Sequence, residues 1–281
     1  AKATWHLPPA QPLRMMAATN GGATMFTHAA GPFRVLLAVV IAGAMVAALP
    51  QAADAALTKR QRCIEAAEKA LGRDITSSDY RIVLGTNKAM ERFYPSSRKD
   101  LICGFGGTDW VRGTVKSGDI FISGTGTSNV LRMKGGLVIG GPDIDTVDYM
   151  SGGRFYGRKG YRPDAQDVLG DTVSEMHGGV FHGGPGLDGV IDMYSGRFVG
   201  GRGPDWVGIQ RGGTFLGKRG RDHVDFLQGG RFRGGTHGDR IDRAMTGGVF
   251  NGGPGTDRVK GYEAGTLYSV EVCKKPANPC P

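Results

Sequence analysis

Residues 183–191 read GGPGLDGVI, 200–208 read GGRGPDWVG and 252–260 read GGPGTDRVK. Each places an aspartate two residues before a branched apolar residue. The same step recurs at Asp145, Asp171, Asp188, Asp205, Asp222, Asp239 and Asp257, separated by 26, 17, 17, 17, 17 and 18 residues. Their partners are Val147, Val173, Val190, Val207, Val224, Ile241 and Val259. A second ladder, Phe155, Phe181, Phe198, Phe215, Phe232 and Phe250, runs between them at the same spacing. Two ladders in lockstep describe one unit copied many times, and so short a period predicts a solenoid.

Working outward, apolar residues step by eight to ten positions from Phe93 through Ile102, Val111, Phe121, Val130, Val138 and Val147 to Phe155. They resume at Val173 and continue to Leu267. Each half-turn is thus a very short strand, and two half-turns form a coil of about 17 residues, with stacked coils roughly 4.8 Å apart. Between Phe155 and Val173 nine extra residues fall within GRKGYRPDAQDVLG, read as a bulged loop that preserves both ladders. The 49 glycines cluster as pairs around apolar residues, without a Gly-X-Y register, which excludes collagen and predicts turns needing positive φ.

Three stretches match GGxGxDxUx in full, where U is a large apolar residue; GGPDIDTVD (140–148), GGTHGDRID (234–242) and DLICGFGGTDWV (100–111) are looser forms. These residues resemble the haemolysin-type, repeats-in-toxin calcium-binding family over about residues 80–267. The resemblance implies a right-handed parallel β-roll and several calcium ions, each held between stacked turns by aspartate carboxylates and backbone carbonyls. A hard cation wants six to eight oxygens, more than one turn offers. Carried onto this chain, the ligands are Asp145, Asp171, Asp188, Asp205, Asp222, Asp239 and Asp257, with Asp100, Asp109 and Asp119 from the early coils.

The chain departs from the family pattern in two ways. The aspartate occupies both half-turns only early, at Asp100, Asp109 and Asp119; later the alternate half-turn is GGxF, as in 178–181, 212–215 and 229–232. Arg202, Lys218, Arg219, Arg221 and His237 also lie in the loops, where cations oppose a divalent ion. The pair Asp188–Asp205 is therefore expected to be the best site, with Asp257 beside Asp239 next. The Asp222 loop is the poorest, and Ser128 in GTGTSNV weakens the gap before Asp145. The alternative is that these aspartates only cap turns through Asx-type bonds to backbone N–H groups.

Ahead of the repeats, residues 57–71 place Leu57, Cys63, Ile64, Ala67 and Leu71 at helical spacing with Gly72 as a stop, predicting a helix that caps the open stack. Arg34, the apolar run after it and Gln51-Ala52-Ala53-Asp54-Ala55 have the form of a secretory signal. Met25 is a more ordinary start for it, and an uncleaved anchor is the alternative. The domain plan is 1–55 upstream segment and signal (signal proper 25–55), 56–79 helical cap, 80–267 repeats and 268–281 a disulfide tail. Cys63, Cys103, Cys273 and Cys280 are an even set with three possible connectivities. The pattern favours Cys63–Cys103 and Cys273–Cys280, one at each end.

Residues 135–264 hold 16 basic and 16 acidic side chains, whereas 56–134 hold 14 against 8. Anionic surface polymers are thus expected to meet the N-terminal region, if any. His177 and His182 read as surface residues, Trp110 and Trp206 as outward-pointing, and Met150, Met176 and Met193 as edge packing. Neither a nucleophile–base arrangement nor an HExxH motif is visible, and basic residues are not interleaved with aromatics as for nucleic acid. The expectation is a secreted, monomeric, non-enzymatic calcium-binding repeat protein; the alternative is a calcium-independent β-solenoid adhesin or wall-polysaccharide module.

Overall fold

A computed structural model describes residues 57–88, 90–157 and 169–274. The expected signal segment, 1–55, and residues 158–168, where a bulged loop is expected, lie outside it. The chain forms a β-solenoid of about 11 turns of about 17 residues, with one short helix before it. Among the described residues every strand pairing is parallel, as a solenoid requires when successive coils run the same way.

The register is the one the two ladders demand. Val147 pairs with Val173, Val173 with Val190, Val190 with Val207 and Val207 with Val224, while Phe155 through Phe250 pair in parallel on the other side. The nine-residue insertion leaves both columns in step, with Val147↔Val173 and Phe155↔Phe181 intact. A one-residue slip in a strand exchanges its two faces, so a repeat that buries every second side chain cannot tolerate one. From Phe155 to Phe250, ring centroids stand 4.7–4.8 Å apart and are tilted by only 5–13°. That distance is the separation of paired strands, so the backbone ladder sets the stack.

The core is a single column in cross-section: the Val row, the Phe row, and a third row comprising Met133, Met150, Met176 and Met193, with Leu227 and Met245 further on. These methionines are fully buried rather than at an edge, because the adjoining corner is built by glycines in the left-handed region. Gly153, Gly179, Gly196 and Gly213 have φ of 84°, 81°, 90° and 73°. A Cβ on any of them would meet a methionine methyl at 2.6–2.9 Å. GGxF is therefore a corner code: glycine turns the chain, and a flexible thioether fills the space it leaves. Gln210 takes the methionine's place in one coil and is buried.

The helix runs over Lys59–Leu71. Thr58 and Gln61 form a reciprocal capping box, and Gly72 at φ 66° ends it in the left-handed conformation. Its buried face, Cys63 and Ala67, packs on Leu101, Cys103 and Ile120, the outward side chains of the early strands. The cap therefore shields the flank of the first coils, where the outer face of the sheet is apolar. Cys63 is bonded to Cys103, a link spanning 40 residues that ties helix to solenoid. Cys273 is also disulfide-bonded, and Cys280 lies outside the described residues.

Candidate functional site

Register places the aspartates in two columns. Asp100 and Asp119 stand on the Phe side, next to Leu101 and Ile120, which pair with each other. Asp109, Ser128 and Asp145 begin the other column, which continues through Asp171, Asp188, Asp205, Asp222, Asp239 and Asp257. The two-sided pattern is thus confined to the early coils; later, Gly136 and Gly153 take the place of the Phe-side aspartate, each directly before a paired strand residue. All ten aspartates are buried, none more than 2 % exposed.

Sequence reading missed that the long column ends in glutamates. Glu91 pairs with Asp109 at one end, and at the other the Asp257 amide donates to Glu271 Oε2 at 2.6 Å. The signal was present as Glu91, one 18-residue step before Asp109, but it lacks the glycine frame. Glu271 follows Asp257 by only 14 residues and breaks the period.

From Asp171 to Asp257, each long-column carboxylate accepts a hydrogen bond from the amide of the rung before it. Asp145 N–H donates to Asp171 Oδ1 at 2.7 Å, and the pattern repeats at 2.7, 3.0, 2.8, 2.8 and 2.7 Å through Asp257. These are bonds between coils, not the local Asx caps of an isolated turn. The second oxygen differs. Oδ2 of Asp188, Asp205, Asp222, Asp239 and Asp257 is buried with no hydrogen-bond partner, and Asp109 has both oxygens so. This oxygen occupies the space a side chain would take on the first glycine of the motif. A Cβ on Gly183, Gly200, Gly217, Gly234 or Gly252 would lie 2.0–2.4 Å from the Oδ2 five residues on. The leading glycine thus makes room for the carboxylate.

The remaining aspartates are satisfied differently. Asp100 accepts from Arg81 Nε at 2.6 Å and from the Ser96 amide and hydroxyl. Burial works against ionisation there, but the guanidinium and the Ser96 bonds hold the carboxyl below its ordinary value. Asp119 receives the amides of Asp100 and Lys116. Asp145 receives the Ser123 hydroxyl and the Gly141 amide, and Ser123 also bonds Ser128. The Ser128–Asp145 step is therefore closed by its own hydrogen bonds.

Burial drives the carboxyls of the open rungs upward. Asp109 and Asp222 are pushed to about 7, Asp188 to about 6 and Asp239 to about 8, and Asp257 is also raised. Asp205 reaches about 10, because burial is joined by the charges of Asp188 and Asp222. Ionised carboxylates one coil apart would repel by roughly 3–4 kcal/mol at an effective dielectric of ~20. The column therefore requires positive charge, from protons or from a cation. A row of partnerless buried oxygens fits a hard cation's donor preference. The loop side chains Arg202, Lys218, Arg219, Arg221 and His237 are exposed, and the charge of Arg240, which acts on Asp222 and Asp239, does not offset their burial.

A separate group on the outer face brings ligand atoms of His223, Asp225 and Asp242 within 4.8 Å of one another. Its carboxylates are already paired: Arg240 Nε donates to Asp242 at 2.7 Å, Lys260 lies 3.5 Å from it, and Arg243 lies 3.6 Å from Asp225. Burial and Arg240 together lower the His223 pKa. His177 stacks between Tyr149 and Tyr194 at 4.9 and 4.2 Å, and His182 on Tyr156 at 4.7 Å. Both are half-buried, and the chain turns a corner at Gly178-Gly179 between them, so strand parity does not relate them. Trp206 is half-buried, its ring lying over Gly189. The chain gives no match when compared with protein-family models, curated proteins or solved structures.

Proposed function

We propose that the chain is an exported, non-enzymatic repeat protein whose acidic column binds calcium as a structural ion. The observation that supports this is the run of partnerless buried Oδ2 atoms at Asp188, Asp205, Asp222, Asp239 and Asp257. These residues would hold the ions. Bound calcium would supply the positive charge that lets the carboxylates ionise without mutual repulsion. Asp100, Asp119 and Asp145 already have both oxygens engaged by donors within the protein. They are assigned to structure on this reading. The Cys63–Cys103 bond supports an oxidising compartment.

A second reading, a metal-free adhesin-type solenoid whose column carries protons, is favoured by the amide-to-Oδ1 chain, which closes without an ion. Calorimetric calcium titration with thermal melts at pH 7 separates the two. On the calcium reading, millimolar calcium raises Tm and chelator reverses it. A ligand at 100 times its Kd adds about 2.7 kcal/mol. No heat of binding and no shift in Tm would leave the proton-filled solenoid.

A further inference from the structure

Residues 170–264 contain twelve basic and eleven acidic side chains, a balance that reads as neutral. Six of the acids, Asp171, Asp188, Asp205, Asp222, Asp239 and Asp257, are interior. The outside of this segment therefore carries twelve cations against Glu175, Asp192, Asp225, Asp242 and Glu263. Three of those five acids are consumed by Arg211, Arg243, Arg240 and Lys260. Among the described residues, Arg197, Arg202, Lys218, Arg219, Arg221, Arg231, Arg233 and Arg258 make no ion pair.

Of these, Arg202, Lys218, Arg219 and Arg221 lie in the turns that lead into Asp205 and Asp222, whereas Arg197, Arg231 and Arg233 flank the Phe row. Arg202 and Arg219 are paired rung to rung. With Pro185, Gly203, Gly220 and His237 they line a shallow cavity of about 390 Å³. Arg221 and Arg258 line a second, of about 430 Å³, together with Asp239 and the ion-paired Arg240.

A second observation is backbone strain at the same place. Lys218 has φ 84° and His237 φ 92°. The coils on either side of Lys218 put Gly201 and Gly235 at its register position, with φ of 127° and 115°. A lysine here bears a conformational cost that glycine avoids, and strain of this kind marks positions held for function. Like-charged side chains one coil apart lie well inside the ~8 Å screening length, so their proximity is itself unfavourable without a counter-charge.

We propose that this edge, formed by Arg202, Lys218, Arg219, Arg221 and His237, binds a linear polyanion lying along the solenoid axis. Arg202 and Arg219, one coil apart between Pro185 and Thr236, present two guanidinium forks to neighbouring anionic groups, with Lys218 and Arg221 beside them, and several weak contacts on one strand add through effective concentration. The partner surface thus moves from the N-terminal region, where sequence charge placed it, to the repeats.

The test is binding of the intact protein to heparin, polyphosphate and polygalacturonate, measured by calorimetry both with calcium and in chelator at several salt concentrations, with far-UV CD confirming the β fold in each condition. The three arms distinguish sulfate, phosphate and carboxylate chains; inorganic phosphate is the monomeric control. At least one polymer should bind ten-fold or more tightly than inorganic phosphate. The triple variant Arg202→Gln, Arg219→Gln, Arg221→Gln should lose at least ten-fold in affinity and show a shallower salt dependence. Lys218→Gly separates binding from folding: it should melt at the same temperature or higher while binding several-fold more weakly. Unchanged affinity in the triple variant, no binding by any polymer, or binding that requires calcium would overturn the proposal.

Discussion

Replacing Asp205 by Asn tests whether the buried column is an electrostatic load that a proton or a cation must relieve. Asp205 lies between Asp188 and Asp222, donates its amide to one and accepts from the other, and is fully buried. Burial and those two charges raise its carboxyl from 3.8 to about 10. In chelator at pH 7 the native state therefore keeps the proton, whereas the unfolded chain releases it. Each pH unit above the unfolded value costs 1.36 kcal/mol, so about 4 kcal/mol is lost by pH 7. The amount is set by pH and the unfolded-state value as long as the native value stays above 7. The sign follows from the raised native value: stability is complete below about pH 4 and falls as pH rises toward the native pKa. Asparagine has the same shape, keeps the oxygen that accepts the Asp188 amide and does not titrate. In chelator the variant should exceed wild type by up to about 4 kcal/mol at pH 7, with the gap closing near pH 4. Urea unfolding followed by far-UV CD at pH 4, 5.5 and 7 reads the difference. Equal stability at pH 7, or an advantage that persists unchanged at pH 4, would refute the reasoning.

Two further outcomes follow from the packing. Phe198→Ala empties one rung of the ring stack between Phe181 and Phe215. It should cost roughly 3–5 kcal/mol in denaturant unfolding, and a loss below 1 would mean the stack relaxes around the gap. Cys63→Ser with Cys103→Ser frees a 40-residue loop. It should lower stability by about 4 kcal/mol by the loop-entropy relation, while the β signal of the later coils survives.

Much of the fold was legible because a solenoid writes its register into its period. The inward residues from Phe93 through Val259 are all buried, and the insertion after Phe155 left both columns aligned. The candidate site was legible only in part. The aspartates could be counted, but the partners of their oxygens lie on another coil, at a separation no local motif encodes. Ser123 illustrates this: nothing about an isolated serine indicates that it donates to Asp145, 22 residues later. The glutamates at the column's ends were missed because they lack the flanking glycines. Met150, Met176 and Met193 were misplaced at an edge because the space they fill exists only once the glycine corners are built.

The sequence by itself determined the pitch, the two ladders and the confinement of the two-sided aspartate pattern to the early coils. These depend on repetition along the chain, and periodic burial leaves one consistent register. Only the tertiary structure decided which carboxylate oxygens are engaged, that the helix covers the flank, and that a charge-balanced repeat segment has a cationic exterior. Charge counts do not distinguish inside from outside. Stacking coils turns seventeen residues of sequence into one strand spacing, so the decisive neighbours are set by space rather than by order.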